Sequence, residues 1–187
     1  MTAAEERGDV PSTLTLRTPS GQPVTLADVV TQPWTVVQLV RYFGCLPCQE
    51  WLVALDRAAP DLAAREAHAV AVGGSTASQA RWLQAERRVT MPLLLDPEHA
   101  LRCLVGAKDP LGARLLDPRG LAAYVRTLSH GYRPQRITKD TVRTPGVVIL
   151  DAQLTVRWRY VGRRLGDYPE LEQVLVAVDD LRAESHA

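Results

Sequence analysis

Cysteine is scarce in this chain, with three among 187 residues. So small and odd a count excludes a disulfide-stapled scaffold, which needs an even set of bridged pairs. Long apolar runs are missing: no stretch approaches the roughly 20 residues that cross a bilayer. No sign of charge dominates, since 22 Lys and Arg face 21 Asp and Glu for a formal net charge of +1. No global field therefore draws the chain to nucleic acid or to a membrane surface. The opening Met1-Thr2-Ala3-Ala4-Glu5-Glu6-Arg7 is polar and acidic, where a secretory signal is basic and then apolar, so a cytoplasmic location is expected. His68, His99, His130 and His186 lack ligand spacing. Neither a metal nor an organic cofactor is expected.

What is present is an ordinary globular balance, 46% hydrophobic and 23% charged, at a length suited to one core. Residues 1–12 read as a flexible leader and 13–187 as a single domain. Leu14, Leu16 and Val24 flank the turn Thr18-Pro19-Ser20-Gly21, a short hairpin. Residues 35–43 form a β-branched and apolar run, the mark of a strand buried on both faces. A helix with Trp51, Leu55, Ala58 and Leu62 at helical spacing follows. A second buried strand covers 68–72, and Thr76-Ala77-Ser78-Gln79 has the capping-box pattern of the next helix. A third strand, 92–95, precedes a short helix through Leu101 and Leu104. Residues 108–143 are the least regular, with one helix near Leu121–Leu128. Strands at 146–151 and 154–160 and a helix with the stripe Leu171, Val174, Leu175, Val178 and Leu181 close the chain. Strands alternating with helices imply a parallel sheet covered on both faces, and the last hairpin adds an antiparallel edge.

Two of the three cysteines form Cys45-Leu46-Pro47-Cys48, where the buried strand hands over to the helix. Unpaired backbone N–H groups and the helix dipole favour a thiolate at Cys45 there. Cys48 lies one turn on, along the same face, within reach of an oxidised Cys45. Pro47 falls in the first turn, where its missing N–H costs little. A zinc site would need four ligands, and no second pair is spaced to supply them. Two merely buried cysteines are the bland alternative. The strand-to-helix placement favours a redox dithiol.

Thr144-Pro145-Gly146 sits before the buried strand at 146–151. Here the chain resembles the thioredoxin superfamily, and within it the peroxiredoxin-like branch of the AhpC/TSA (alkyl hydroperoxide reductase/thiol-specific antioxidant) family. The resemblance covers most of residues 13–181. It rests on the run from Arg41 to Glu50, on the Thr-Pro-Gly strand, and on the run from Tyr160 to Pro169. It implies a thioredoxin-like α/β fold: a central mixed β-sheet flanked by helices, with an N-terminal hairpin and an insertion before a cis-proline strand. By the same resemblance Cys45 is the attacking thiolate and Cys48 the resolver. Thr144 and a cis Pro145 border the substrate, with the Thr144 backbone pairing a thiol partner. Arg157 approaches Cys45 to hold its thiolate and bind peroxide. The implied substrate is a peroxide or a disulfide, regenerated by a thioredoxin or low-molecular-weight-thiol system, in an antioxidant role.

Two positions depart from the family pattern. Gln38 and Tyr42 stand where typical peroxiredoxins carry the proline and the threonine that orients peroxide, leaving Tyr42 to offer a hydroxyl. Three functions thus stay open: a peroxidase, a protein-disulfide reductase, and a redox sensor or binding module without turnover. Cys103 reads as structural, and the tryptophans as packing. Residues 108–143 carry eight Lys and Arg against three Asp and Glu, either a solvated surface or a cover that attracts anions. The oligomeric state is left open.

Overall fold

The computed structural model describes residues 9–74, 76–107 and 110–186. The Thr-Val-Val-Gln-Leu run forms β3 (Trp34–Leu39), with all six residues buried. Side chains alternate across a strand, so Val36 joins one core cluster while Val37 and Leu39 join the other. The first cluster takes in Leu52, Leu83 and Val174, and the second takes in Leu26 and Leu101. Each such leucine contributes about 1.5–3 kcal/mol of transfer free energy.

Around β3 the sheet also contains β1 (Thr15–Arg17), β2 (Pro23–Thr25), β4 (Ala67–Gly73), β5 (Leu93–Leu95), β6 (Gly146–Asp151) and β7 (Val156–Val161), in the order β2-β1-β5-β4-β3-β6-β7. β3, β4 and β5 are parallel, while β6 runs antiparallel to β3 and β7 to β6. The hairpin β1–β2 attaches antiparallel to β5 through Arg17 opposite Leu95. The helices are α1 (Leu26–Val29), α2 (Leu46–Arg57), α3 (Ala59–Ala63), α4 (Ala77–Arg87), α5 (Ala100–Leu104), α6 (Pro118–Ser129) and α7 (Leu171–Ser185). Residues 112–116 and 139–142 form 3-10 turns. The expected mixed thioredoxin-like sheet, hairpin and insertion are all present.

Four local expectations change. The long helix after the cysteines is broken at Ala58, because Pro60 lacks the N–H an unbroken helix would use. Thr76 makes no side-chain cap on α4, and Gln79 instead donates to the Arg136 carbonyl at 2.7 Å. Order begins inside the segment read as a leader: Val10 is buried and its N–H donates to the Leu154 carbonyl at 3.0 Å. Residues 1–8 of that segment lie outside the described residues. Finally, the Thr144–Pro145 bond is trans, since the described residues contain no cis peptide bond. Trans is the ordinary state of an X–Pro bond. Here Arg102 holds the Thr144 carbonyl at 2.6 Å and the Gly162 N–H donates to the Pro145 carbonyl at 2.9 Å.

Candidate active site

β3 ends at Leu39, and five residues later the chain enters α2 with Cys45 as its N-cap and Pro47 in its first turn. The Cys45 N–H closes a turn onto the Tyr42 carbonyl at 3.1 Å, and the Gln49 N–H reaches the Cys45 carbonyl at 2.9 Å. Gly44 permits the tight entry: a Cβ there would stand 2.8 Å from the Gln135 Cβ and 2.9 Å from the Gln79 amide nitrogen. One helical turn brings the Cys48 Sγ to 2.7 Å from the Cys45 Sγ, with both residues fully buried.

The shell around the sulfurs is polar. Arg41, itself fully buried, donates from Nη1 to the Cys45 Sγ at 3.4 Å and from Nε to the Arg143 carbonyl at 2.9 Å. Its Nη2 has no partner among the described residues. The Tyr124 hydroxyl of α6 points at the Cys45 Sγ from 3.6 Å. Behind Cys48, Gln38 donates to its carbonyl at 3.2 Å, and Tyr168 donates to the Leu39 carbonyl at 3.3 Å. Trp51 stacks on Tyr168 with ring centroids 4.9 Å apart and donates to the Pro169 carbonyl at 2.8 Å. Arg102, also buried, ties the carbonyls of Val40 and Thr144 together at 2.7 and 2.6 Å.

These surroundings treat the two thiols differently. Burial by itself would push Cys45 up. The hydrogen bond from Cys48 opposes it most strongly, then the Arg41 charge, the Cys48 backbone N–H and the Tyr124 hydroxyl, and together they bring Cys45 down to about 6. Cys48 is pushed well up by burial and by donating to its neighbour's charge. The dithiol therefore holds one thiolate and one proton near neutral pH, the state a nucleophile and its resolving partner require.

The structure gathers Cys45, Cys48 and Tyr42, and brings the Thr144–Pro145 segment beside them through the Arg41 bond to Arg143. The Thr144 carbonyl is held by Arg102. Arg157 is placed elsewhere. It pairs with Asp151 at 3.4 Å and Glu184 at 3.9 Å. The register sets Asp151 against Trp34 and Gly146 against Leu39, which puts Arg157 roughly a strand length, about 16 Å, from the dithiol end of the sheet. The guanidinium beside Cys45 is that of Arg41. Sequence reasoning assigned no role to Arg41, Tyr124 or Tyr168. Arg41 and Tyr168 lie inside the motif runs that carry the resemblance, whereas nothing near Tyr124 signals its position.

The rest of the cover comes from α6. Glu50 accepts from Thr127 at 3.0 Å and Arg126 at 3.3 Å, and pairs with His130 Nδ1 at 2.6 Å. Gly166, at φ +67°, lets the loop after β7 pack between Pro47 and Ala123.

Together these features define a thioredoxin-fold protein with a working Cys-x-x-Cys pair at the head of the helix after its central strand. The sequence matches the AhpC/TSA family over residues 8–159, and the chain belongs to that family. Among solved structures it is similar to peroxidoxin BcpB from Mycobacterium tuberculosis at 14% identity, over 94% of this chain and 97% of that one (TM-score 0.66). It is similar also to peroxiredoxin Q of Xanthomonas campestris at 14% identity, over 95% and 97% (TM-score 0.67). A putative thiol:disulfide interchange protein DsbE from Chlorobium tepidum shares 19% identity over 92% and 98% (TM-score 0.58). At these identities the likeness is one of fold. No curated protein matches the sequence. Family membership and the paired sulfurs make the chain a thiol-dependent oxidoreductase of the peroxiredoxin-like kind.

Proposed function

We propose that the protein reduces small peroxides, with Cys45 as the attacking thiolate and Cys48 as the resolving thiol. The observation that carries this reading is the 2.7 Å separation of two sulfurs, one held beside a buried Arg41 whose Nη2 is unsatisfied. An unpaired guanidinium nitrogen next to a thiolate supports binding of a peroxide oxygen there. The Tyr124 hydroxyl supports the same role from the opposite side, in place of the threonine the family pattern leads one to expect at Tyr42.

In the first step the Cys45 thiolate bonds the nearer peroxide oxygen and the O–O bond breaks. The departing oxygen takes the proton carried by the attacked oxygen and leaves as water or alcohol, and the sulfenate left on Cys45 takes a proton from solvent to become a sulfenic acid. Cys48 then attacks that sulfur, an S–S bond forms, and water leaves. Two electrons pass from the dithiol to the peroxide, and an external thiol returns them. Complete burial of both cysteines favours a small substrate over a protein disulfide. A reducing, cytoplasmic setting supplies the donor, and none of the described helices is long and apolar enough to cross a membrane. On this reading residues 13–187 act as one domain, with 108–143 as its insertion.

Stopped-flow oxidation of the reduced protein by hydrogen peroxide tests the proposal. Oxidation of wild type should outrun a free thiol by orders of magnitude, Cys48→Ser should accumulate a trappable sulfenic acid, and Cys45→Ser should lose the fast phase. A Cys45 rate no faster than that of free cysteine would overturn it.

A further inference from the structure

α6 has two working faces. Inward, Tyr124 meets Cys45, while Gly120 packs on Leu165, Ala123 on Gly166 and Thr127 on Glu50. Outward, Leu121, Val125 and Leu128 recur at i, i+4 and i+7 and are all exposed, Val125 to 67%. Six of the eight exposed large hydrophobics of the described residues fall within 110–143: Leu116, Leu121, Val125, Leu128, Ile137 and Val142. Three of these lie on α6 itself, and exposed apolar side chains gathered in this way mark an interaction surface.

Charge narrows the partner. Arg114, Arg119 and Arg133 of the same segment are exposed, and Arg126, also exposed, pairs with Glu50. Of the two carboxylates of the described insertion, Asp117 is half-buried and engaged in capping α6 through the Arg119 and Gly120 N–H groups, and Asp140 is buried against His99 at 2.9 Å. An apolar centre with a cationic rim fits an apolar patch with an acidic rim. Location narrows it further. Cys45 and Cys48 are fully buried, with Tyr124 of α6 against Cys45, so a donor thiolate needs this helix displaced to reach them.

We propose that the outer face of α6 is the docking surface of the electron donor, a small acidic dithiol protein, and that docking there is coupled to displacement of α6 from the disulfide. This rests on the reading that an external thiol regenerates Cys45 and Cys48. In the transfer, a donor thiolate bonds one sulfur of the disulfide and the other leaves as a thiolate. The second donor thiol then attacks the donor's own sulfur, forming the donor disulfide and releasing the reduced pair.

The test begins from protein whose Cys45–Cys48 disulfide has been formed with diamide, so that peroxide chemistry plays no part. Its reduction is followed with thioredoxin, thioredoxin reductase and NADPH, and separately with dithiothreitol. Val125→Glu and Leu121→Glu, both at exposed positions, should each raise the KM for thioredoxin at least about tenfold and leave the dithiothreitol rate unchanged. Arg119→Glu should raise it about threefold and flatten its salt dependence. An unchanged KM overturns the proposal, as does an equal fall with both reductants, which would place the effect in the site itself. Wild-type protein that sediments as a dimer and is made monomeric by Val125→Glu would assign the face to a second copy. Failure of hydrogen peroxide to oxidise the wild type would remove the peroxidase reading while this assay still measured docking.

Discussion

On one side of Cys45 lies the junction of β3 and α2, where backbone geometry does most of the positioning. On the other lies α6, held over the sulfurs by a few side-chain contacts. The junction is anchored by a fully buried strand and by Arg41 and Arg102, both bonded to backbone carbonyls. The cover is anchored largely by Glu50, whose carboxylate meets Arg126, Thr127 and His130. A strand and helix start buried in the core open only at a cost near that of global unfolding, whereas a helix pinned by side chains opens more cheaply. The difference teaches how a dithiol can be both fully buried and reactive: the sulfurs are fixed from below and released from above.

The largest expected effect tests the fixed side. Arg41→Met removes the cation beside Cys45 and leaves only the hydrogen bonds from Cys48 and Tyr124 to oppose its burial. A thiol returned to its ordinary range is about 3% ionised at pH 7, so the peroxide oxidation rate there should fall about thirtyfold in stopped-flow fluorescence. The wild type should show its own pH dependence next. Because Cys45 is held down to about 6, acidification protonates it, and iodoacetamide alkylation should slow about tenfold from pH 8 to pH 5. A midpoint near that of free cysteine would erase the contrast between the two walls.

Smaller effects probe the cover. Tyr124→Phe deletes one long hydroxyl contact to the Cys45 sulfur and should slow oxidation about fivefold, the net worth of one ordinary hydrogen bond. Glu50→Gln weakens the pin on α6. Its carboxyl, which burial would push up, is drawn down overall by His130, Thr127 and Arg126. Loss of that charge should raise the rate at which a bulky maleimide reaches Cys45 about threefold, measured by mass spectrometry. Arg157→Ala should change the oxidation rate by less than about twofold, because Arg157 pairs with Asp151 instead of the dithiol.

Much of the scaffold was legible in the chain. The apolar run ending before Gly44, the helix-start Pro47 and the alternating strand at 154–160 each carry a local physical signal, and each was found within a few residues of its expected place. The reading of Arg157 shows the limit. The family resemblance pointed to an arginine on β7, but both Arg157 and Arg159 lie on that strand, and only the register with β6 decides which end of the sheet each one serves. Tyr124 was beyond sequence reasoning for a similar reason. Its helix is amphipathic, yet spacing alone does not say which face turns inward or what lies beneath it.

By itself, then, the sequence determined the alternation of elements and the placement of two cysteines at a helix start, because hydrophobic period, turn residues and helix-end chemistry are local. Tertiary structure alone decided which cation ionises Cys45, which hydroxyl faces it and what covers it. Those contacts join residues far apart along the chain, such as Tyr124 and Cys45. Their energies depend on burial and distance, which no local pattern encodes.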